Sequence, residues 1–170
     1  TSVAAAMHRV IPRSTFEQAI FHFQTAAAFE RESLVTNLLR LGYRRVSVVE
    51  IPGEFSVRGG IIDVFSTAYA NPVRVEFLGD HVESIRLFDP STQTSITKLN
   101  EGWVLPAREF VWPPHAPEAI VPIQADAEWR SPDLYDSMDT LFDYLTAVPF
   151  LALDQPEALK KACETAWEKI

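Results

Sequence analysis

Six carboxylates, Glu50, Glu54, Asp63, Glu76, Asp80 and Glu83, stand in one short stretch of the chain and are the residues best suited to acid-base chemistry. Two of them facing across a pocket would make a general acid and a general base. That use needs a concavity around Glu50, Asp63 or Glu83. The expectation is instead the solvated face of a sheet with its ion pairs, because charged side chains are mostly exposed. The four histidines, His8, His22, His81 and His115, are scattered, and neither another histidine nor the lone Cys163 lies at helix-turn spacing from any of them, so no metal centre is expected. No Gly-x-x-x-x-Gly-Lys-Ser/Thr loop cradles a triphosphate. Gly59-Gly60 lacks a third glycine at dinucleotide-fingerprint spacing and leads into a strand, so it reads as a hairpin turn. Trp103, Trp112, Trp129 and Trp167 lack the interleaved positive charge of a single-strand binder and read as core or lid residues. Neither a cofactor nor a catalytic residue is expected, which turns attention to binding and to three arginines, Arg58, Arg74 and Arg86.

Those groups need a scaffold, and 170 residues at 47% hydrophobic can bury one sizeable core with a smaller body beside it. A formal charge of -8 argues against a grip on duplex DNA, which rewards clustered Lys and Arg, and favours a protein partner. One cysteine excludes an internal disulfide and suits a reducing compartment, so a cytoplasmic location is expected. The opening Thr-Ser-Val-Ala-Ala-Ala-Met has no basic start, and no stretch reaches the roughly 18 apolar residues of a membrane span. Without Met at position 1, the chain is expected to be a piece of something longer.

The spacing predicts an α+β fold. A Ser14-x-x-Glu17 capping box would open a short helix, and Ile20 to Phe23 alternates as a strand. Leu34, Leu38 and Leu41 recur at helical spacing from Ser33, with Gly42 where a left-handed cap belongs. An antiparallel meander of about five strands follows, with the helix packed on one face: Tyr43–Ile51, Glu54–Arg58, Ile61–Phe65, the pair flanking Gly79-Asp80-His81, and a weaker strand near Thr94–Leu99. Beyond Trp103 the prolines 106, 113, 114, 117 and 122 imply a wrapping segment or linker. Asp133 or Ser137 would then cap a helix through Ala147, and a final helix would open on Pro156, forming a smaller, mainly helical flank.

Strand faces single out the arginines. A two-residue reversal at Gly59-Gly60 pairs Val57 with Ile62 and Phe55 with Val64, directing these four inward and Glu54, Ser56 and Arg58 outward. A three-residue turn in the next hairpin sets Val75 opposite Ile85 and Val73 opposite Leu87, so that Arg74 faces Arg86 with Glu76 and Leu78 alongside. Like charges directly across a ladder are mildly destabilising. One reading is a patch kept for a partner, since arginines and apolar anchors dominate interface energetics. The other is a set of ordinary surface pairs neutralised by Glu54, Glu76 and Asp80.

The run Gly42-Tyr43-Arg44-Arg45-Val46, then Val49 through Ile51-Pro52-Gly53-Glu54-Phe55-Ser56-Val57-Arg58-Gly59-Gly60-Ile61-Ile62-Asp63-Val64-Phe65, resembles the bacterial transcription-repair coupling factor family. Pro72-Val73-Arg74-Val75-Glu76-Phe77-Leu78-Gly79-Asp80, Val82-Glu83-Ser84-Ile85-Arg86 and Phe88-Asp89-Pro90 keep the same register. The related module of UvrB shares the Arg-Gly and Arg-x-Glu-Phe-x-Gly-Asp patterns, but Pro-Gly-Glu-Phe and Gly-Gly-Ile-Ile-Asp are more similar to the coupling factor. A UvrB-family origin would leave the same surface with the same partner. The resemblance implies a UvrB-like domain over residues 28–100 that binds the excision-repair protein UvrA, set between flanks 1–27 and 101–170. It carries the contact positions over as Arg58, Arg74, Leu78 and Asp80, with Leu78 departing from the aromatic of some relatives; Arg86 is added from strand pairing alone. It further implies a parent that is an ATP-driven DNA translocase acting on stalled RNA polymerase, with the UvrA surface masked until the motor engages. None of the motor motifs stands in this chain.

Overall fold

The computed structural model describes residues 3–109, 111, 135–146 and 155–167. Its centre is one helix, α3 (Arg31–Arg40), laid on a six-stranded sheet. In sheet order the strands are β2 (Arg44–Arg45), β3 (Glu54–Arg58), β4 (Ile61–Val64), β5 (Val73–Leu78), β6 (His81–Phe88) and β7 (Ser95–Leu99). All neighbours run antiparallel except β2, which lies parallel to β3. Leu34 and Leu38, one helical turn apart, are fully buried against Phe55, Ile62, Val64, Val73, Val75 and Ile85 from alternate strand positions. Gly42 ends the helix at φ +83°, where the Gly42 and Tyr43 amides take up the Leu39 and Leu38 carbonyls.

A second, two-stranded ribbon pairs β1 (Phe21–Gln24) with β8 (Glu101–Val104). Its inward residues Phe23 and Val104 join the same core as the sheet. Phe23 lies directly over Gly102, which is why the ribbon closes there: a Cβ at Gly102 would meet the ring at 2.4 Å. Around this body stand α1 (Val3–Met7), α2 (Arg13–Ala19), a 3-10 turn (Leu141–Tyr144) and α4 (Pro156–Trp167), with α1 packed against both α4 and the turn.

Several expectations change in the structure. The strand expected over Tyr43–Ile51 survives only at Arg44–Arg45, because Val46 and Val49 turn beneath the sheet to pack with Phe65 and Phe88. The meander therefore has a parallel edge, and its second face carries a small apolar layer of its own. Ser14 does not cap α2, which begins after Pro12 without a side-chain cap from its own segment. The Asp139 carboxylate accepts the Arg13 amide instead (2.7 Å), and Glu17 pairs with Arg13. A capping box does form at Thr140 and Asp143, opening the 3-10 turn in place of the expected helix; Asp133 and Ala147 lie outside the described residues. The final helix starts at Pro156 as expected. The wrapping segment with prolines 113, 114, 117 and 122, and Trp112, Trp129 and His115, also lie outside the described residues.

Candidate functional site

The sheet face away from α3 is organised around Asp63. Register puts Ser56, Asp63, Arg74, Arg86 and Lys98 in one row across five strands. Asp63 is 1% exposed and is saturated by two arginines: Arg74 donates Nε to Oδ1 (2.7 Å) and Nη2 to Oδ2 (3.0 Å), while Arg58 donates Nη2 to Oδ2 (2.5 Å). Arg74 also stacks over the Phe88 ring at 4.3 Å and donates to Gln93 from the β6–β7 loop. The hydrogen bond to Asp63 raises the Arg74 pKa against the opposing effect of burial, so the guanidinium stays charged.

This arrangement corrects the expectation of a solvated outer face. Glu54 and Ser56 are buried, as is Asp63. Burial would raise the Glu54 pKa, but the Glu50 and Ile51 amides and Arg44 hold its carboxylate below the ordinary value. Arg74 keeps only 15% of its side chain exposed, and Arg58 keeps 44%. Both guanidiniums lie on the same face, joined through one carboxylate, with Arg58 much the more accessible.

The next row toward the hairpin tips holds Arg58, Ile61, Glu76 and Ser84. Arg86 does face Arg74 as expected, and the repulsion is relieved because Arg86 bonds Glu76 and Ser84. The Ser84 hydroxyl bond, with Arg86 behind it, holds the Glu76 pKa below the ordinary carboxylate value although burial opposes it. The pairing arises by a different route from the one expected: Leu78 pairs His81 across a two-residue turn, and a bulge between Glu76 and Phe77 restores Val75 to Ile85. At the tip Leu78 is 71% exposed and Asp80 is exposed beside it. Arg58, Arg74, Arg86 and Lys98 on this face meet only Asp63 and Glu76 of opposite sign in the same two rows. Cations thus outnumber carboxylates in these two rows of an acidic chain, with exposed Leu78 at their edge.

Among the described residues, neither of two cavities is lined by Glu50, Asp63 or Glu83. A cavity of about 930 Å³ lies between the N-terminal helices, the 106–109 segment and the 3-10 turn, and none of the sheet carboxylates lines it. A smaller one of about 400 Å³, lined by Glu30, Arg31, Glu32, Gly60, Phe77, Gly79 and Asp80, excludes Glu50, Asp63 and Glu83. Among the described residues no cluster of His, Cys, Asp and Glu is arranged to hold a metal ion. No helix there is long and apolar enough to cross a membrane. Sequence reading missed Asp63 as a hub, and with it Gln93. The signal for Asp63 was its place opposite Arg74 once β4 pairs with β5.

Residues 21–110, which include α3 and every strand of both sheets, match the family model described as UvrB interaction domain. The chain belongs to the UvrB interaction domain family. Its form of this domain is the one carried by transcription-repair coupling factors. The transcription-repair-coupling factor of Myxococcus xanthus is 34% identical over 201 aligned positions covering 99% of this chain and 17% of the relative. Those of Bacillus subtilis and Escherichia coli are 37% and 32% identical, each over 64% of this chain and 9% of their own length. The chain thus spans less than a fifth of the length of the curated relatives it matches. Within the UvrB interaction domain, the Arg58, Leu78 and Asp80 positions lie at two adjoining hairpin tips, and Arg74 and Arg86 lie behind them on the sheet face.

Proposed function

We propose that this chain is the module with which a transcription-repair coupling factor recruits UvrA during transcription-coupled excision repair, acting by docking and not by catalysis. The observation that carries the reading is the juxtaposition of exposed Leu78 and half-exposed Arg58 on the cationic face of an otherwise acidic chain. Arg58 would pair with an acidic or carbonyl group of UvrA, Leu78 would fill an apolar dent, and Asp80 and Arg86 would flank the contact. Arg74, mostly enclosed, would serve the same surface by holding Asp63 and through it the Arg58 guanidinium. RNA polymerase and DNA would be engaged by other parts of the parent protein. The flanks 1–27 and 101–170 would belong to the body surrounding the 28–100 module.

Titration of UvrA into the chain and its Arg58→Ala and Leu78→Ala variants tests this. Each substitution is expected to weaken binding by about 2 kcal/mol, or roughly thirtyfold, while the fold is kept and the melting temperature falls by no more than a few degrees. Parent-like affinity in both would place the contact elsewhere. Arg74→Ala is the poorer probe, because it strips a buried carboxylate of its main partner and disturbs folding as well.

A further inference from the structure

Within three residues, Phe29 to Arg31, the chain touches both hairpin tips. The Phe29 amide donates to the Asp80 carbonyl at 2.7 Å, in the β5–β6 turn. The Arg31 guanidinium, at the first position of α3, donates to the Gly59 carbonyl in the β3–β4 turn. Just upstream, Ala26 and Ala27 exchange hydrogen bonds with Val82 (2.7 and 3.0 Å). The tips also touch each other: the Phe77 amide bonds the Gly60 carbonyl at 2.7 Å. Arg31 reaches Glu32 with its other amino group (3.0 Å) and keeps a third of its side chain exposed.

We infer that Arg31 is a positioning residue: it fixes the β3–β4 tip, and hence Arg58, at a set distance from the Leu78–Asp80 tip. The inference rests on the docking reading above. Its physical basis is leverage. Gly59 follows Arg58 directly and sits at φ +58° in open space, so the β3–β4 turn has no side-chain packing of its own at that residue. A charge-assisted bond from a helix anchored by Leu34 and Leu38 adds a second constraint to the backbone bond between Phe77 and Gly60. An interface that needs two tips at once gains affinity when their separation is set before binding.

The test is a double-mutant cycle on the whole 170-residue chain, with UvrA affinity measured for the parent, Arg31→Ala, Arg58→Ala and the double variant, and with hydrogen exchange at the Phe77 amide, which bonds the Gly60 carbonyl, and at the Phe29 amide, which bonds the Asp80 carbonyl. Arg31→Ala alone is expected to lower affinity about fivefold and to speed exchange at the Phe77 amide but not at the Phe29 amide. In the Arg58→Ala background it is expected to cost nothing further, and Arg31→Lys, which keeps a donor, should recover most of the loss. If Arg31→Ala lowers the melting temperature, Arg31→Lys and the exchange pattern carry the decision. Parent-like affinity of Arg31→Ala while Arg58→Ala is weakened overturns the positioning role and leaves the docking reading standing. An additive loss in the double variant also overturns it, since Arg31 would then act independently of Arg58. No effect of Arg58→Ala or Leu78→Ala would instead fell the docking reading itself.

Discussion

Asp63 illustrates how much one carboxylate can organise when it is taken from water. Burying such a charge costs several kcal/mol unless hydrogen bonds and an opposite charge compensate, and here two guanidiniums supply three N–H donors. The two arginines are not equivalent. Arg74 is enclosed between Asp63, Phe88 and Gln93, whereas Arg58 leans on the same oxygen from a half-exposed position. Asp63→Asn is therefore expected to destabilise the fold by about 3 kcal/mol in urea unfolding, because it leaves the Arg74 cation buried and unpaired. Arg58→Ala should cost about 1 kcal/mol or less, as partly exposed pairs do. Equal costs would mean that the two guanidiniums share Asp63 evenly and that the distinction drawn between scaffold and contact residue is wrong. The inward positions Phe55, Val57, Ile62 and Val64 were legible from alternation alone. The burial of Asp63 was not, because alternation assigns a residue to a face without saying what covers that face.

The two hairpins show how turns set the surface they carry. At Gly59-Gly60 the two glycines are needed for different reasons: Gly59 adopts φ +58° with nothing near it, while a Cβ on Gly60 would stand 2.8 Å from the Phe77 backbone oxygen. Gly59→Asn should be tolerated within about 0.5 kcal/mol, since asparagine accepts left-handed backbone. Gly60→Ala should cost more than about 1 kcal/mol, because the obstructing atom is backbone and the two hairpins must part. Thermal melts of the two variants decide the point, and the reverse order would show that the turn conformation, and not the close approach, limits the site. In the second hairpin the sequence-based expectation of a three-residue turn led to the observed register by another mechanism, a shorter turn compensated by a bulge. The expected route puts one extra residue in the turn and the observed one puts it in β6, so pairing beyond the bulge is the same. Helix α2 was harder to read. Its N-terminal amide is satisfied by Asp139, far along the chain, and no local pattern announces such a cap.

On the scale of the whole molecule, charge is distributed against the average: a chain of net -8 sets Arg58, Arg74, Arg86 and Lys98 together on one sheet face. The folded form also depends on carboxylates staying ionised. Glu54 and Glu76 are both held below the ordinary value of 4.5, so the stability they contribute is complete above that value and is lost as pH falls through their lowered ones. The melting temperature is expected to be flat in these two groups' contribution above about pH 5 and to fall below it. Glu54→Gln should be less stable at neutral pH with a shallower acid limb; an unaltered limb would remove Glu54 from the acid response. By itself the sequence determined the α+β class, helix α3 with its glycine cap, the register of the first hairpin and that of the second beyond its bulge, because periodicity, turn residues and pairing are local properties. The resemblance of an ordered run of motifs, also a property of the sequence alone, pointed to the family. Only the tertiary structure decided that β2 is short and parallel, that β1 closes on β8, that the second sheet face is half covered, and that Arg31 reaches the Gly59 turn. Each of these joins residues distant along the chain, and such contacts depend on how the layers stack in space.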